Sequence, residues 1–233
     1  MIARLAANSA MHASAKSAPR DLCVIRTEAM PLNSLVPLVI SSLAFVVSAT
    51  TLYLTFFRRG RLRATWPAVI YFGPDGRKQD GPNKVFLRTL LYSTSRRGHV
   101  VESMHVSLTR SETRQNFSIW VYGESALSRG SGLFVGEQGF ASNHHFVLPS
   151  DGATFSFVPG QYDLRLFAKC VGDRHSRELL TVRLVVSDLH SAALPKGECG
   201  LYFDWGPDQQ AYQAHVRDRP NLEIPERLLE GAG

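Results

Sequence analysis

Apolar and polar positions divide this chain into one long uncharged run followed by a series of short alternating ones. Leu35 to Phe57 (LVPLVISSLAFVVSATTLYLTFF) carries no charged residue over 23 positions. At 1.5 Å of rise per residue, a helix of that length runs about 35 Å, enough to cross a hydrocarbon core of about 30 Å. A continuous helix also satisfies its own backbone N–H and C=O groups, which lipid cannot do. The pattern predicts a transmembrane helix over 35–57, with Ser34 as N-cap and Pro37 in the first turn, where a missing N–H costs little. A cleaved signal peptide has a shorter apolar core and a small-residue cleavage site, whereas this run continues into Phe57 and Arg58.

From Trp66 onward the apolar runs are short and turn residues recur about every ten positions, the spacing of an antiparallel β-sandwich. Ala68–Phe72 reads as a first strand, stopped by Gly73-Pro74-Asp75-Gly76. Lys84–Ser93 fits a strand or a short helix by periodicity alone. Ser103–Thr109 and Phe117–Tyr122 are β-rich, joined by the polar stretch Arg110–Asn116. Ser131–Val135 and Gly139–Leu148 hold weaker strands, and Ala153–Val158 alternates through Phe155 and Phe157. In Gln161–Lys169, Tyr162, Leu164, Leu166 and Ala168 form one apolar face. Glu178–Ser187 and Gly200–Trp205 are further strands, and Ala211–Val216 is marginal. The expected organisation is a leader over 1–34, the span over 35–57, a basic juxtamembrane linker over 58–65, a mainly β sandwich over 66–216, and a mobile tail or short docking helix over 217–233.

The segments PGQYDLRLFA (159–168) and ELLTVRLVV (178–186) resemble the closing strands of immunoglobulin-like and fibronectin-type-III-like domains, a likeness that covers roughly 103–187. The resemblance implies an antiparallel sandwich in which Tyr162 is a "tyrosine corner", its hydroxyl bonded to backbone near Pro159. It also implies a core position for Trp120, although the two-cysteine signature is absent. A fold-level likeness carries no partner with it.

Charge changes the picture at the membrane edge. Of 26 Arg/Lys and 20 Asp/Glu, residues 1–63 hold eight and two, so the remainder carries 18 of each and is neutral. The formal charge of +6 therefore belongs to the leader and the edge of the span, which points to anionic headgroups and away from nucleic acid. Arg58, Arg59, Arg61 and Arg63 crowd one end of the span, and Tyr53, Phe56 and Phe57 form an aromatic rim beside them. These seven residues are the expected bilayer contacts. The positive-inside rule favours a cytoplasmic C-terminal domain, more strongly if the chain starts at Met30 than at Met1, because Lys16, Arg20 and Arg26 then drop out. The Ala/Ser-rich residues 1–29 read as lying upstream of a start at Met30 or Met11, with an acid-poor targeting leader as the competing reading.

Candidate chemistry is sparse. His144-His145 is the most conspicuous pair, with His175 and His190 elsewhere. Strand neighbours point to opposite faces, so the two do not readily share an ion, and solvent-facing histidines are the expectation. Gly130, Gly132, Gly136 and Gly139 lack the residues that complete a phosphate loop and read as a flexible sandwich loop. Ser128, Ser131 and Ser150 have no nucleophile-elbow context. Asp151, Asp163 and Asp173 lack a calcium-loop spacing. Asn116-Phe117-Ser118 is a formal glycosylation sequon, its use disfavoured at the head of an apolar strand. Cys170 and Cys199 are expected to be reduced on the cytoplasmic side, a bridge between them becoming possible only on the outer side. Ser41, Ala44 and Ser48 share one helix face, a weak basis for a homodimer through the span. No catalytic set, metal site or cofactor is expected. The function read from the sequence is binding of a protein partner, with Tyr202, Phe203 and Trp205 and the loops around Gly130–Gly139 as the contact surface. The rivals are an outer-face ligand-binding module and an enzyme built around His144 and His145.

Overall fold

The structure, a computed structural model, describes residues 32–58, 60–75, 82–124, 126–149, 155–194 and 199–218. It divides into two units at Val47/Ser48. The apolar stretch is a helix, α1 (Leu32–Leu52), continued by a π-helical turn over Tyr53–Phe57. Leu35–Phe57 is long and apolar enough to cross a membrane, and none of it is buried against protein. The helix begins ahead of Ser34, which is therefore not its N-cap, and Pro37 lies inside it. A proline there removes one backbone hydrogen bond and tends to kink the helix. The π turn closes at Arg58, whose N–H donates to the Tyr53 carbonyl at 3.0 Å.

The second unit is mainly β. Its strands are β1 (Leu62–Ala64), β2 (Val69–Pro74), β3 (Asn83–Ser93), β4 (His99–Arg110), β5 (Thr113–Phe117), β6 (Ile119–Tyr122), β7 (Ser128–Arg129), β8 (Leu133–Val135), β9 (Phe140–Val147), β10 (Gly160–Cys170), β11 (Arg177–Val186), β12 (Cys199–Gly206) and β13 (Ala211–Asp218). A short helix, α2 (Asp188–Ala193), precedes β12; the Ser187 hydroxyl caps it by accepting from the His190 N–H. All the strand pairs are antiparallel. One sheet runs β13-β12-β2-β3-β9-β6-β7, with β1 and β2 end to end along β3. The other runs β11-β10-β4-β5, with β8 and β5 end to end along β4.

The two sheets face each other across one core. Ile70, Phe72, Val85 and Leu87 of the first meet Leu164, Leu166, Val182 and Leu184 of the second, all at 2 % exposure or less. Phe157 fills the end of that core, stacked on Phe72 with ring centroids 4.7 Å apart. Residues 155–158 carry no strand, although the alternation does place Phe157 inward.

Several boundaries differ from the sequence reading for identifiable reasons. The juxtamembrane stretch 58–65 is not all linker, because Leu62–Ala64 pairs with Leu91–Ser93 as β1. The β-rich stretch around Phe117 is two strands that change sheet at Ser118: β5 pairs with β4, and β6 with β9. Ala211–Asp218 is a full edge strand, eight residues in register with β12. The tail expected over 217–233 lies, apart from Arg217 and Asp218, outside the described residues.

Candidate functional site: an arginine-lined cleft

The residues singled out in the sequence fall in three places. Tyr53, Phe56, Phe57 and Arg58 are exposed at the end of the apolar stretch, and Arg59 lies outside the described residues. Trp120 and Tyr162 are core residues, each 2 % exposed. The Tyr162 hydroxyl donates to the Val158 carbonyl at 2.8 Å. The proposed contact strip is not a strip. Phe203 points inward at 1 % exposure and packs edge-on against Phe72, so it cannot meet a partner. The cause is strand alternation, which sends Tyr202 to the opposite face, where it is half-buried against Tyr71 and His215. Trp205 is half-buried between the exposed Trp66, stacked at 5.4 Å, and Tyr212.

The histidine pair also departs from expectation, since both rings are buried, His144 at 0 % and His145 at 2 % exposure. They do point to opposite faces of β9. His144 lies on the core side, where its Nδ1 accepts from the Trp120 Nε1–H at 3.2 Å. Desolvation lowers its pKa from 6.5 to about 4. His145 lies on the other face beside Phe86. Its pKa falls to about 3, through desolvation first, then the charges of Lys84 and His144, with the Gly123 carbonyl acting the other way. Side chains cover both faces of β9 here, Trp120, Tyr122 and Phe140 around His144 and Phe86 beside His145. His175 sits exposed in the β10–β11 turn and His190 in α2, so the four histidines form no cluster.

The remaining candidates disperse in the same way. Asp163 and Asp173 stand at opposite ends of β10 and pair with Arg183 at 3.3 Å and Arg177 at 2.7 Å. Asp151 and Ser150 lie outside the described residues, and Ser128 and Ser131 are exposed. Among the described residues, no group of three or more His, Cys, Asp or Glu side chains could hold a metal ion. Within the glycine segment, Gly130 and Gly139 are packing positions, whereas Gly132 faces open space. The Gly130 N–H donates to the Trp120 carbonyl at 2.8 Å, and a Cβ at Gly130 would sit 2.0 Å from the Trp120 ring. Cys170 ends β10 in one sheet and Cys199 opens β12 in the other, both as free thiols.

What the fold does assemble is a cleft of about 700 Å³ at the end of the sandwich where β1 enters. Its walls are Gly60–Arg63, the β3–β4 turn from Ser95 to Val100, Phe134 of β8, and the β10–β11 hairpin. Each wall is held by backbone. The Arg61 N–H donates to the Thr94 hydroxyl at 2.8 Å, and the Thr94 N–H donates back to the Arg61 carbonyl at 3.0 Å. Gly60 runs so close to this turn that a Cβ there would lie 2.6 Å from the Ser95 nitrogen. The Val171 N–H donates to Val100 and the Asp173 N–H to Cys170, both at 2.9 Å, fixing the hairpin against β4.

Arg61, Arg63, Arg97 and Arg177 line this cleft against two carboxylates, Asp173 and Glu178. Arg177 donates to Asp173 at 2.7 Å, which neutralises one carboxylate. The Cys170 thiol in the wall has its pKa raised, by burial first and Asp173 second, with Arg177 opposing. A thiol held protonated is a poor nucleophile. The cleft therefore offers guanidinium forks suited to a planar or tetrahedral anion. Arg97 and Arg177 escape sequence reasoning because each sits in a polar turn like any other; only the pairing of β1 with β3 and of β10 with β4 brings them to Arg61 and Arg63.

Fold and cleft together define a class: a mainly β domain of two antiparallel sheets behind an N-terminal apolar helix. No protein-family model matches this chain, and no curated protein matches it.

Proposed function

We propose that this protein is a single-pass membrane-anchored β-sandwich that acts by binding, without catalysis, at the cytoplasmic face of the membrane. The observation that carries the reading is the fate of the basic segment behind the helix. Arg61 and Arg63 are not free linker but part of the folded domain, where they line its cleft. Anchor, topology signal and binding surface are then one continuous piece of chain. The cleft replaces the Tyr202–Trp205 strip as the contact surface, and its partner is an anionic group on a protein or at the membrane. The sandwich is read further as immunoglobulin-like, supported by the Tyr162–Val158 hydrogen bond at the head of β10.

Native thiols are poor reporters of sidedness here, because Cys170 is buried and Cys199 half-buried. Ser176, exposed in the β10–β11 turn, is a better position. In the full chain carrying Cys23→Ser, which removes the native thiol ahead of the span, Ser176→Cys should resist extraction by alkaline carbonate and react with an impermeant maleimide only after the cells are opened. Extraction into the soluble fraction would refute the anchor. Labelling in intact cells would place the domain outside and refute the cytoplasmic assignment.

A further inference from the structure

We infer that the cleft binds the phosphate of an anionic lipid headgroup in the same bilayer that holds the helix, seating the sandwich on the membrane surface. The inference deepens the proposed function and rests on Leu35–Phe57 spanning the membrane. Three observations converge on it. The first is charge. Four arginines face two carboxylates; with Arg177 already paired to Asp173, Arg61, Arg63 and Arg97 face Glu178 alone. An arginine fork matches phosphate oxygens two at a time, and each basic residue near an anionic surface gains roughly five-fold in affinity.

The second is the mouth of the cleft, where Val100, Phe134 and Val171 are 38, 60 and 66 % exposed. A small soluble anion has no use for an apolar rim. A lipid does, because its glycerol and upper acyl carbons lie beside the phosphate, at the depth where aromatic side chains concentrate. Phe134 is also held in place, its ring lying over Gly98, where a Cβ would meet it at 2.6 Å. Gly98 takes φ +69°, a backbone conformation that favours glycine on its own account.

The third is reach. Arg61 and Arg63 follow Phe57 by four and six residues. At 3.6 Å per residue fully extended, their Cα atoms stay within about 15 and 22 Å of the last apolar residue. The cleft wall is thus tethered to the headgroup region by covalent connection alone. An acidic protein segment would also satisfy the charge, but nothing in that case calls for the short tether.

The test places the full chain in nanodiscs of phosphatidylcholine, alone or with phosphatidylglycerol. It counts the phosphatidylglycerol retained after transfer to mild detergent, by native mass spectrometry, and follows hydrogen-exchange protection of residues 95–100 and 170–179. Arg97→Gln with Arg177→Gln removes two cleft charges that belong to no topology signal. Arg165→Gln with Arg183→Gln removes two exposed charges elsewhere on β10 and β11. The cleft pair should weaken phosphatidylglycerol retention at least roughly five-fold, the contribution of the unpaired Arg97, and erase the protection it confers. The control pair should leave both as in the parent chain, and so report on any general loss of charge. Equal retention by the cleft pair and the parent would overturn the inference, leaving the juxtamembrane arginines as the whole basis of lipid attraction. Equal protection by glycerol 3-phosphate in phosphatidylcholine discs would assign the site to a soluble phosphate, and stronger protection by a polyglutamate peptide to an acidic protein; either overturns it. A chain that leaves the disc altogether refutes the anchor instead, a failure readable before any lipid is counted.

Discussion

Replacing His144 with glutamine should flatten the acid limb of this protein's stability curve. His144 is fully buried, ringed by Trp120, Tyr122 and Phe140, and its Nδ1 accepts the indole N–H of Trp120. Protonating it would charge a ring in an apolar core and set a new N–H donor against the Trp120 donor. Its pKa is accordingly lowered from 6.5 to about 4. In the unfolded chain the ring titrates near 6.5, so below that pH the unfolded state binds a proton that the native state refuses. Stability is complete above 6.5, falls as the pH drops, and has lost this whole contribution once the pH passes below about 4. At 1.36 kcal/mol per pKa unit, the loss through His144 amounts to about 3 kcal/mol. His145, lowered to about 3, withdraws a second contribution that extends further into acid. The two rings repel each other when charged, so the contributions do not simply add.

Glutamine keeps an acceptor for Trp120 but does not titrate. His144→Gln should therefore shift stability at neutral pH by only about 1 kcal/mol. Between pH 6.5 and about 4 its stability should fall less steeply than that of the parent chain, by the slope of the one proton that His144 no longer takes up on unfolding, while His145 and His105 still contribute. Urea unfolding of the full chain in micelles, followed by tryptophan fluorescence at a series of pH values, reads both quantities. Parallel curves for variant and parent across that window would refute the argument. So would a parent whose stability rises on acidification.

Four further substitutions separate core from surface in the same assay. Phe203→Ala should cost about 3–5 kcal/mol, as for a fully buried aromatic ring, whereas a partner-contact role would leave stability unchanged. Trp66→Ala, at 56 % exposure, should cost about 1 kcal/mol, the worth of its stack on Trp205. Gly130→Ala should destabilise by about 1–3 kcal/mol, because its Cβ has to displace the Trp120 ring; a neutral result would restore the flexible-loop reading. Tyr162→Phe should cost about 1 kcal/mol through loss of the Val158 hydrogen bond, with the unfolding slope unchanged.

Legibility in the sequence followed burial. β10 and β11 alternate cleanly, buried at Tyr162, Leu164, Leu166 and Ala168 and at Val182, Leu184 and Val186, because one side of their sheet packs and the other is wet. Those strands were predicted to within a residue or two. β3 and β9 gave a blurred pattern because both their faces are covered. Lys84 to Leu87 is buried without a break, and so is His144 to Leu148. A period of two cannot show where neither side meets water, so β3 could not be told from a helix, and two histidines in a buried strand read as solvated. The cleft was half legible. Arg61 and Arg63 announced themselves beside the apolar stretch, while Arg97 and Arg177 reach it only through long-range strand pairing, which no local pattern encodes.

The same contrast narrows where this domain can bind anything. On the outer face of the larger sheet a row of side chains runs across neighbouring strands, from His215 through Tyr202, Tyr71 and Phe86 to His145, in successive register. Tyr71 is fully buried there, and the ammonium of the equally buried Lys84 pairs with Asp75. A face so covered is occupied by its own packing. The outer face of the smaller sheet is open and flat, and most of its charges are paired across strands, Arg183 with Asp163 and Lys169 with Glu102, leaving Arg165 as an isolated charge among the described residues. Exposed pairs of this kind contribute little and offer no net field to a ligand. The ends of the sandwich remain, and at the end where β1 enters, unbalanced positive charge, concavity and exposed apolar side chains coincide. That coincidence, more than any single residue, is why the cleft and not a sheet face is the surface to test.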